Sequence, residues 1–280
     1  MKNIEYAVSA VCVSVRGYLS EERHKPNLFC PFAVAALEYL SCMVGNGGLD
    51  SNTLNNLRKL QELGVVLNDY FDVGHLNSFK YSLAFERIVL PDSKFDETAW
   101  NILSNFQTRL ETIETSRPVP GTGQPYDGFV EYRDKSNLLH LLGSLALQNR
   151  DVGIMGLDIA EIEKMSPELA SLYFNVMALQ VQDDRIGAEG DILHRRPSFV
   201  TGLLDVCNID TYVINRRKID EELLERFNLY REKARGANPE FNYPIGLCVS
   251  MAPLLVKVSR ASKNLPFKPP FLSARDYQQR

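Results

Sequence analysis

The positions of the prolines constrain the fold of this chain more than any other feature of its sequence. Long stretches without proline run from Pro31 to Pro91, Pro125 to Pro167, Pro167 to Pro197 and Pro197 to Pro239. Because proline disrupts the interior of a helix, each of these stretches has room for long helices. They are rich in Leu, Ala, Glu, Gln and Arg, which favour helices, and strict alternation of apolar and polar residues is hard to find. The sequence therefore predicts an all-α fold.

Several helix boundaries are marked by local sequence. Ser166 is a predicted N-cap with Pro167 at the first helical position, and an apolar stripe then leads to Asp183. The Pro- and Gly-rich segment 116–128 is predicted to be a loop. A charged amphipathic helix is predicted over residues 216–236, with Gly236 as its C-cap. No linker or repeat interrupts the chain, so residues 1–280 are predicted to form a single domain.

Charge and cysteine content exclude some classes of partner. The net charge is −4, with both signs mixed along the chain, which argues against nucleic acid or an acidic membrane surface as partner. Five scattered cysteines without a CxxC pattern indicate a reducing compartment, and we predict a cytoplasmic protein. The longest apolar run, residues 28–45, contains Glu38 and is predicted to be a buried helix, so no integral membrane segment is expected.

Two clusters of carboxylates follow apolar helix faces. The first is "LNDYFD", with Asp69 and Asp72 one helical turn apart, and the second is "QVQDDRIGAEGD", residues 180–191, with Asp183 and Asp184. Carboxylates at the end of an apolar face need a positive partner, and no set of His or Cys residues accompanies them. Oxygen ligands of this kind indicate Mg²⁺, which usually shares its remaining positions between water and a phosphate group. The alternative is that these acids cap helices or pair with surface Lys and Arg.

A third segment, "YRDKSNLLHLLGSLA" (residues 132–146), places Lys135 at the top of an apolar helix face. One interpretation is that the lysine extends its ammonium group to water over that face. The other is that Lys135 binds a diphosphate beside the acidic clusters.

Together these segments resemble the class I isoprenoid synthases, and among them the trans-isoprenyl diphosphate synthases. "LQVQDDRIGAEGD" is similar to the second aspartate-rich motif of that family, FQxxDDxxDxxGD, and "VLNDYFD" resembles the first, DDxxD, with Asn68 in place of its leading Asp. Lys135 and Ser136 stand where the family has a Lys-Thr pair. "CPFAVAALEYL" resembles the helix after the GKRxRP motif of the family. The resemblance covers roughly residues 28–205 and implies a bundle of about ten helices around a central apolar cavity.

The departures from the family pattern fall on one half of its site. Asn27, Leu28 and Cys30 stand where the family has the basic residues that bind isopentenyl diphosphate, and "VGHLNSFK" after Asp72 contains no Arg-Arg pair. Gly187 replaces the Asp that ends the DDxxD part of the second motif. The resemblance thus implies that the site for an allylic diphosphate is largely kept, and that the site for isopentenyl diphosphate is lost.

These features predict a Mg²⁺-dependent enzyme that ionises an allylic prenyl diphosphate and transfers the prenyl group to an acceptor other than isopentenyl diphosphate. A terpene cyclase using the same ionising site is the alternative, and a non-catalytic partner subunit of a prenyl synthase is a third. The acceptor is unknown, and the resemblance implies a homodimer. The predicted catalytic residues are Asp69, Asp72 and Asp183. The predicted metal ligands are Asp69, Asp72, Asp183 and Asp184, and the predicted diphosphate-binding residues are Lys135, Ser136, Gln180, Arg195 and Arg196.

Overall fold

The fold is seen in a computed structural model, which describes residues 50, 53, 56, 57, 60, 97–147, 164 and 166–254. Within these residues the regular structure is helical and no strand occurs, which confirms the all-α prediction for this part of the chain. The predicted total of about ten helices and the central cavity remain predictions. The helices with defined bounds are α1 (Glu97–Thr115), α2 (Tyr126–Leu147), α3 (Pro167–Leu193), α4 (Phe199–Gly202), α5 (Ile209–Ala237) and α6 (Pro239–Ser250).

Helix α3 begins as its sequence predicts. Ser166 is the N-cap, and its side-chain oxygen accepts a hydrogen bond of 3.4 Å from the backbone N–H of Leu169. Pro167 occupies the first helical position, where its missing N–H removes no hydrogen bond. The helix continues well past Asp183 and ends at Leu193, so the second acidic cluster lies inside a helix and not at its end.

The predicted loop 116–128 ends earlier than its composition suggested. Gly121 and Gly123 have φ angles of 76° and 75°, in the left-handed region that glycine adopts most easily, and this accounts for the Gly-rich sequence. Helix α2, however, already begins at Tyr126, and the backbone N–H of Gly128 donates to the carbonyl of Pro125 at 3.0 Å. Gly128 therefore belongs to the helix because its N–H takes part in the first turn.

Helix α5 is longer than the predicted segment 216–236. It begins after Asn208, an N-cap whose side chain accepts from the N–H of Thr211 at 2.7 Å. The prediction that Gly236 is the C-cap is wrong, because the N–H of Asn238 still donates to the carbonyl of Ala234 and the helix ends at Ala237. The following Pro239 explains the end, since a residue before proline avoids the helical conformation.

Helix α3 is the central element of the described packing. Helix α5 runs antiparallel to it, because Arg185 of α3 lies beside Asp220 while Phe174 lies beside Tyr230. Helices α2, α4 and α6 also pack on α3, and α1 packs on α2. Most of the side chains of α3 are buried, including Tyr173 and Met177.

The described helices were also compared with the length and hydropathy that a membrane-spanning helix requires. None of them is both long enough and apolar enough to cross a bilayer.

Candidate functional site

The two adjacent aspartates of the second acidic cluster lie in different environments. Asp183 is exposed, while the side chain of Asp184 is 1% exposed. Successive residues of a helix point about 100° apart, so one carboxylate of the pair faces solvent and the other faces the neighbouring helices. Only Asp183 is therefore placed to meet a ligand that approaches from solvent.

The carboxylate of Asp184 is held by donors from three directions. Arg133 of α2 binds it in a bidentate manner, with Nη2 at 2.8 Å from Oδ1 and Nε at 3.2 Å from Oδ2. Gln180 donates to Oδ1 at 2.7 Å, and the backbone N–H of Phe199 donates to Oδ2 at 2.7 Å. Burial raises the pKa of Asp184, while Arg133 and these hydrogen bonds oppose the rise.

This arrangement bears on two predicted site residues. Both oxygens of Asp184 already accept hydrogen bonds, and the amide of Gln180 donates to Asp184. The contacts fix α3 against α2 and against the start of α4. In this structure Asp184 and Gln180 position the segment that carries Asp183, and their assigned roles in metal and diphosphate binding remain predictions.

Lys135 lies on α2, half exposed, and forms an ion pair with Glu131 one turn before it. Leu139 and Leu142 below it are buried, as the predicted apolar face requires. Ser136 is partly buried on the same helix. Lys135 is two residues from Arg133, so the Arg133–Asp184 pair joins the helix that carries Lys135 to the helix that carries Asp183.

Arg195 and Arg196 form the end of α3. The N–H of Arg195 donates to the carbonyl of Ile192 at 3.2 Å, and the N–H of Arg196 donates to the carbonyl of Asp191 at 2.7 Å. This is the hydrogen-bond pattern of a Schellman motif, which usually has glycine at the position of Arg195. Arg195 has a φ of 50°, and its side chain is exposed.

The sequence patterns did not identify Arg133, although the acidic clusters require a positively charged partner. A buried carboxylate is costly unless a cation or several donors satisfy it, and that rule called for a positive group near the acidic clusters. Arg133 stands in the same quoted segment as Lys135, but no spacing rule links it to Asp184, because the two residues lie on different helices. The side-chain contact exists only through the crossing of α2 and α3.

Asp69 and Asp72, the first acidic cluster, lie outside the described residues. Within the part of the chain that the structure describes, no group of three or more His, Cys, Asp or Glu residues is placed to hold a metal ion. Among the predicted ligands only Asp183 offers an exposed carboxylate there. One carboxylate, with water and phosphate oxygens, fits the usual coordination of Mg²⁺.

The chain was compared with family models, with curated proteins and with solved structures. No family model matches it, and no curated protein or solved structure matches it either.

Proposed function

We propose that this chain is a Mg²⁺-dependent enzyme that ionises an allylic prenyl diphosphate and transfers the prenyl group to an acceptor other than isopentenyl diphosphate. The observation that carries the proposal is the bidentate Arg133–Asp184 pair. It joins the helix that carries Asp183, a carboxylate suited to Mg²⁺, to the helix that carries Lys135, a cation suited to diphosphate. The resemblance of the two sequence segments supplies the substrate class.

The protein groups would have separate roles. Asp183, with Asp69 and Asp72, would hold the metal, and Lys135, Ser136, Arg195 and Arg196 would bind the diphosphate. Bound Mg²⁺ supplies positive charge that stabilises the departing diphosphate. The side chains of this chain orient that group and neutralise its charge through fixed cations.

Buried aromatic side chains of α3 and α5 suit the hydrocarbon part of such a substrate. Tyr173 and Phe174 of α3 lie 5.3 Å apart between ring centroids, and Phe174 stacks on Tyr230 at 6.4 Å. All three are buried. Aromatic faces attract cations, so rings of this kind would stabilise positive charge on a prenyl group.

A second candidate function is that of a non-catalytic partner subunit. Two observations favour it: the oxygens of Asp184 are occupied by Arg133, Gln180 and Phe199, and Gly187 leaves no carboxylate at the third position of the motif. Such a subunit would keep the helical frame of the site without binding the metal.

The test is release of diphosphate from allylic prenyl diphosphates of increasing length, with Mg²⁺ and without isopentenyl diphosphate, followed by extraction of the organic products. The wild-type chain is expected to release diphosphate. Asp183→Ala is expected to release it at a rate lower by about 100-fold or more, because the metal loses a ligand, and this is roughly the effect of one lost electrostatic contact. Glu189→Ala, an exposed acid on the same helix, is the matched control and should keep the wild-type rate.

The outcomes separate the candidates. A cyclic hydrocarbon product would show that the enzyme cyclises its substrate at this site and does not transfer the prenyl group. Release only when isopentenyl diphosphate is present would show an ordinary elongating synthase. If the chain neither binds Mg²⁺ with diphosphate nor releases diphosphate from the substrate, the enzymatic proposal is rejected. That result would support the function of a non-catalytic partner subunit. Equal rates for Asp183→Ala and the wild type would reject the metal site.

A further inference from the structure

Helices α2, α3 and α5 bring together two cations, Arg226 and Lys233, that have no role in the proposed reaction, and these cations lie beside aromatic rings. Helices α2 and α5 both pack on α3 and approach each other little through their backbones, so side chains fill the space between them. We call this place the Arg226 junction, and its members are Tyr126, Asp134, Phe174, Arg226, Tyr230 and Lys233.

Two cations of α5 line the Arg226 junction. Arg226 and Lys233 are seven residues apart and therefore lie on one face of the helix. The guanidinium carbon of Arg226 is 4.9 Å from the ring centroid of Tyr126 and 5.8 Å from that of Phe199, and the ammonium of Lys233 is 5.2 Å from that of Phe174. Arg226 is partly buried and Lys233 is exposed, so a solute can reach the pair.

The positive charge of the junction is poorly neutralised. Among the described side chains, neither Arg226 nor Lys233 forms an ion pair with a carboxylate. The polar neighbours of Arg226 are the hydroxyls of Tyr126 and Tyr230. Burial raises the pKa of Tyr230 to about 12 and raises the pKa of Tyr126 as well, so both phenols are neutral near pH 7 and offer hydrogen bonds without charge.

The charge of Asp134 interacts with both cations, and its carboxylate already accepts a hydrogen bond. The hydroxyl of Tyr173 donates to its Oδ1 at 2.8 Å. Burial raises the pKa of Asp134, with the Tyr173 hydrogen bond and the charges of Arg226 and Lys233 acting against the rise. Asp134 thus interacts with two cations without forming an ion pair with either, so their positive charge is only partly offset.

We propose that the Arg226 junction binds an oxyanion, the phosphate or carboxylate group of a small organic ligand whose apolar part lies against the partly exposed ring of Tyr126. Arg226 is suited to this because its planar guanidinium can donate two parallel hydrogen bonds to such a group. The ring of Tyr126, 4.9 Å from the guanidinium carbon, attracts the cation to this position. Lys233 adds a second, mobile charge at the solvent side.

This site would supply what the sequence lacks elsewhere. The basic residues that the resemblance assigns to a second diphosphate are missing, and the Arg226 junction offers a cation pair, of which Lys233 lies over the ring of Phe174. Its use for the acceptor of the prenyl group rests on the proposed function, whereas the binding of an anion does not.

The experiment measures anion binding by the full-length chain in EDTA, which removes any Mg²⁺-dependent binding at Asp183. Inorganic phosphate and benzoate are titrated separately, with thermal unfolding and calorimetry as readouts. At least one of them should bind saturably to the wild type. Arg226→Gln should weaken that binding at least tenfold, while Arg217→Gln, an exposed arginine on the same helix, should leave it unchanged.

Each outcome decides the proposal. Binding of phosphate but not benzoate assigns the site to a phosphorylated ligand, and the reverse assigns it to a carboxylate. Equal loss in both variants would mean a non-specific charge effect and would overturn the site, as would binding by neither anion. Lys233→Gln, which alters an exposed side chain, keeps the test valid if Arg226→Gln does not fold: it should weaken binding, and unchanged binding would count against the junction. If the chain binds the anion but releases no diphosphate from prenyl diphosphates, the proposed function is refuted and the anion site is not.

Discussion

Two residues show how single side chains depart from the usual preferences of their type. Arg195 occupies a left-handed backbone position at the end of α3 where glycine is favoured. His140 is partly buried in α2 beside Phe106, with 5.0 Å between ring centroids. Within the described chain its Nδ1 has no hydrogen-bond partner. The first residue carries backbone strain and the second a desolvated ring.

Arg195→Gly is expected to stabilise the chain. The left-handed conformation costs an L-residue roughly 1–2 kcal/mol, and the entropy of an unfolded glycine offsets part of the gain, which leaves about 0.5–1 kcal/mol. Urea denaturation measures the change. Arg217→Gly, in the interior of α5, is the control and should destabilise by about 1 kcal/mol. A less stable Arg195→Gly chain would show that the arginine side chain contributes more to folding than the strain removes.

His140 should make the chain less stable in mild acid. Burial lowers the pKa of His140 from 6.5 to about 4. The unfolded state therefore takes up a proton as the pH falls below 6.5, while the folded state does not, and this difference favours unfolding between pH 6.5 and 4. At pH 5 the loss is about 2 kcal/mol relative to pH 7.

The measurement is urea denaturation of the wild type and His140→Leu at pH 7 and pH 5. The leucine variant should lose about 2 kcal/mol less on acidification, because it has no imidazole to protonate. Phe106→Leu, which alters the ring in contact with His140, should be destabilised by a similar amount at both pH values. Identical pH dependence of the wild type and His140→Leu would contradict the prediction.

At the scale of helices, α3 is held to its neighbours by polar contacts as well as by its core. Arg133–Asp184 joins it to α2, Arg185–Asp220 joins it to α5, and the amide of Asn175 donates to Asn242 of α6 at 2.9 Å. Polar contacts fix the relative positions of helices more narrowly than apolar packing, because hydrogen bonds depend on direction. The position of Asp183 follows from these contacts.

The Arg133–Asp184 pair should show strong coupling. Removing one partner of a buried pair leaves an uncompensated charge, so Arg133→Met is expected to cost about 3–5 kcal/mol of unfolding free energy, with a comparable loss for Asp184→Asn. The double variant should lose less than the sum of the two, since neither charge then remains alone. Denaturation of the three variants measures the coupling.

The exposed pair Arg217–Glu221 provides the comparison. Arg217→Met should cost less than about 1 kcal/mol, because water screens the interaction. If the losses of unfolding free energy in the Arg133 and Asp184 variants are additive, the 2.8 Å contact contributes no coupling energy between the two helices.

Substitution by alanine is expected to have opposite effects on stability at two glycines. A Cβ on Gly202, at the end of α4, would lie 2.7 Å from Cγ of Phe129, which cannot move without shifting α2, so Gly202→Ala should cost about 1–3 kcal/mol. A Cβ on Gly190 in α3 meets no atom within 4 Å, and Gly190→Ala should stabilise by about 0.5–1 kcal/mol. Thermal unfolding compares them. Equal effects would mean that α4 does not pack tightly on α2.

At the scale of the whole molecule, the described helices share one apolar core. Leu103 and Phe106 of α1, Leu139 of α2 and Leu223 of α5 are fully buried members of it. This continuity across helices distant in sequence agrees with a bundle, although the single domain over residues 1–280 remains a prediction.

The homodimer is the prediction that belongs to this scale. It rests on the resemblance, and sedimentation equilibrium of the full chain should give a mass of about twice 31.7 kDa. The mass should hold as the concentration is lowered through the micromolar range, as expected for an obligate pair. A mass of 31.7 kDa throughout would reject the dimer and with it part of the case for the family.

The sequence by itself determined the local structure. Proline spacing predicted helices, Ser166 and Pro167 predicted the start of α3, and the glycines after Ser116 predicted the loop before α2. These features were readable because they depend on backbone chemistry within a few residues. The predicted end of α5 was wrong, because backbone hydrogen bonds continue the helix past Gly236.

Only the tertiary structure decided what the polar side chains do. Asp183 and Asp184 look equivalent in sequence, yet one faces solvent and the other is bound by Arg133, a residue 51 positions away. The meeting of Arg226 with Tyr126 could not be anticipated either. The physical reason is that the environment of a charged group depends on which helices cross beside it, and a crossing is set by packing over the whole core, not by neighbouring residues along the chain.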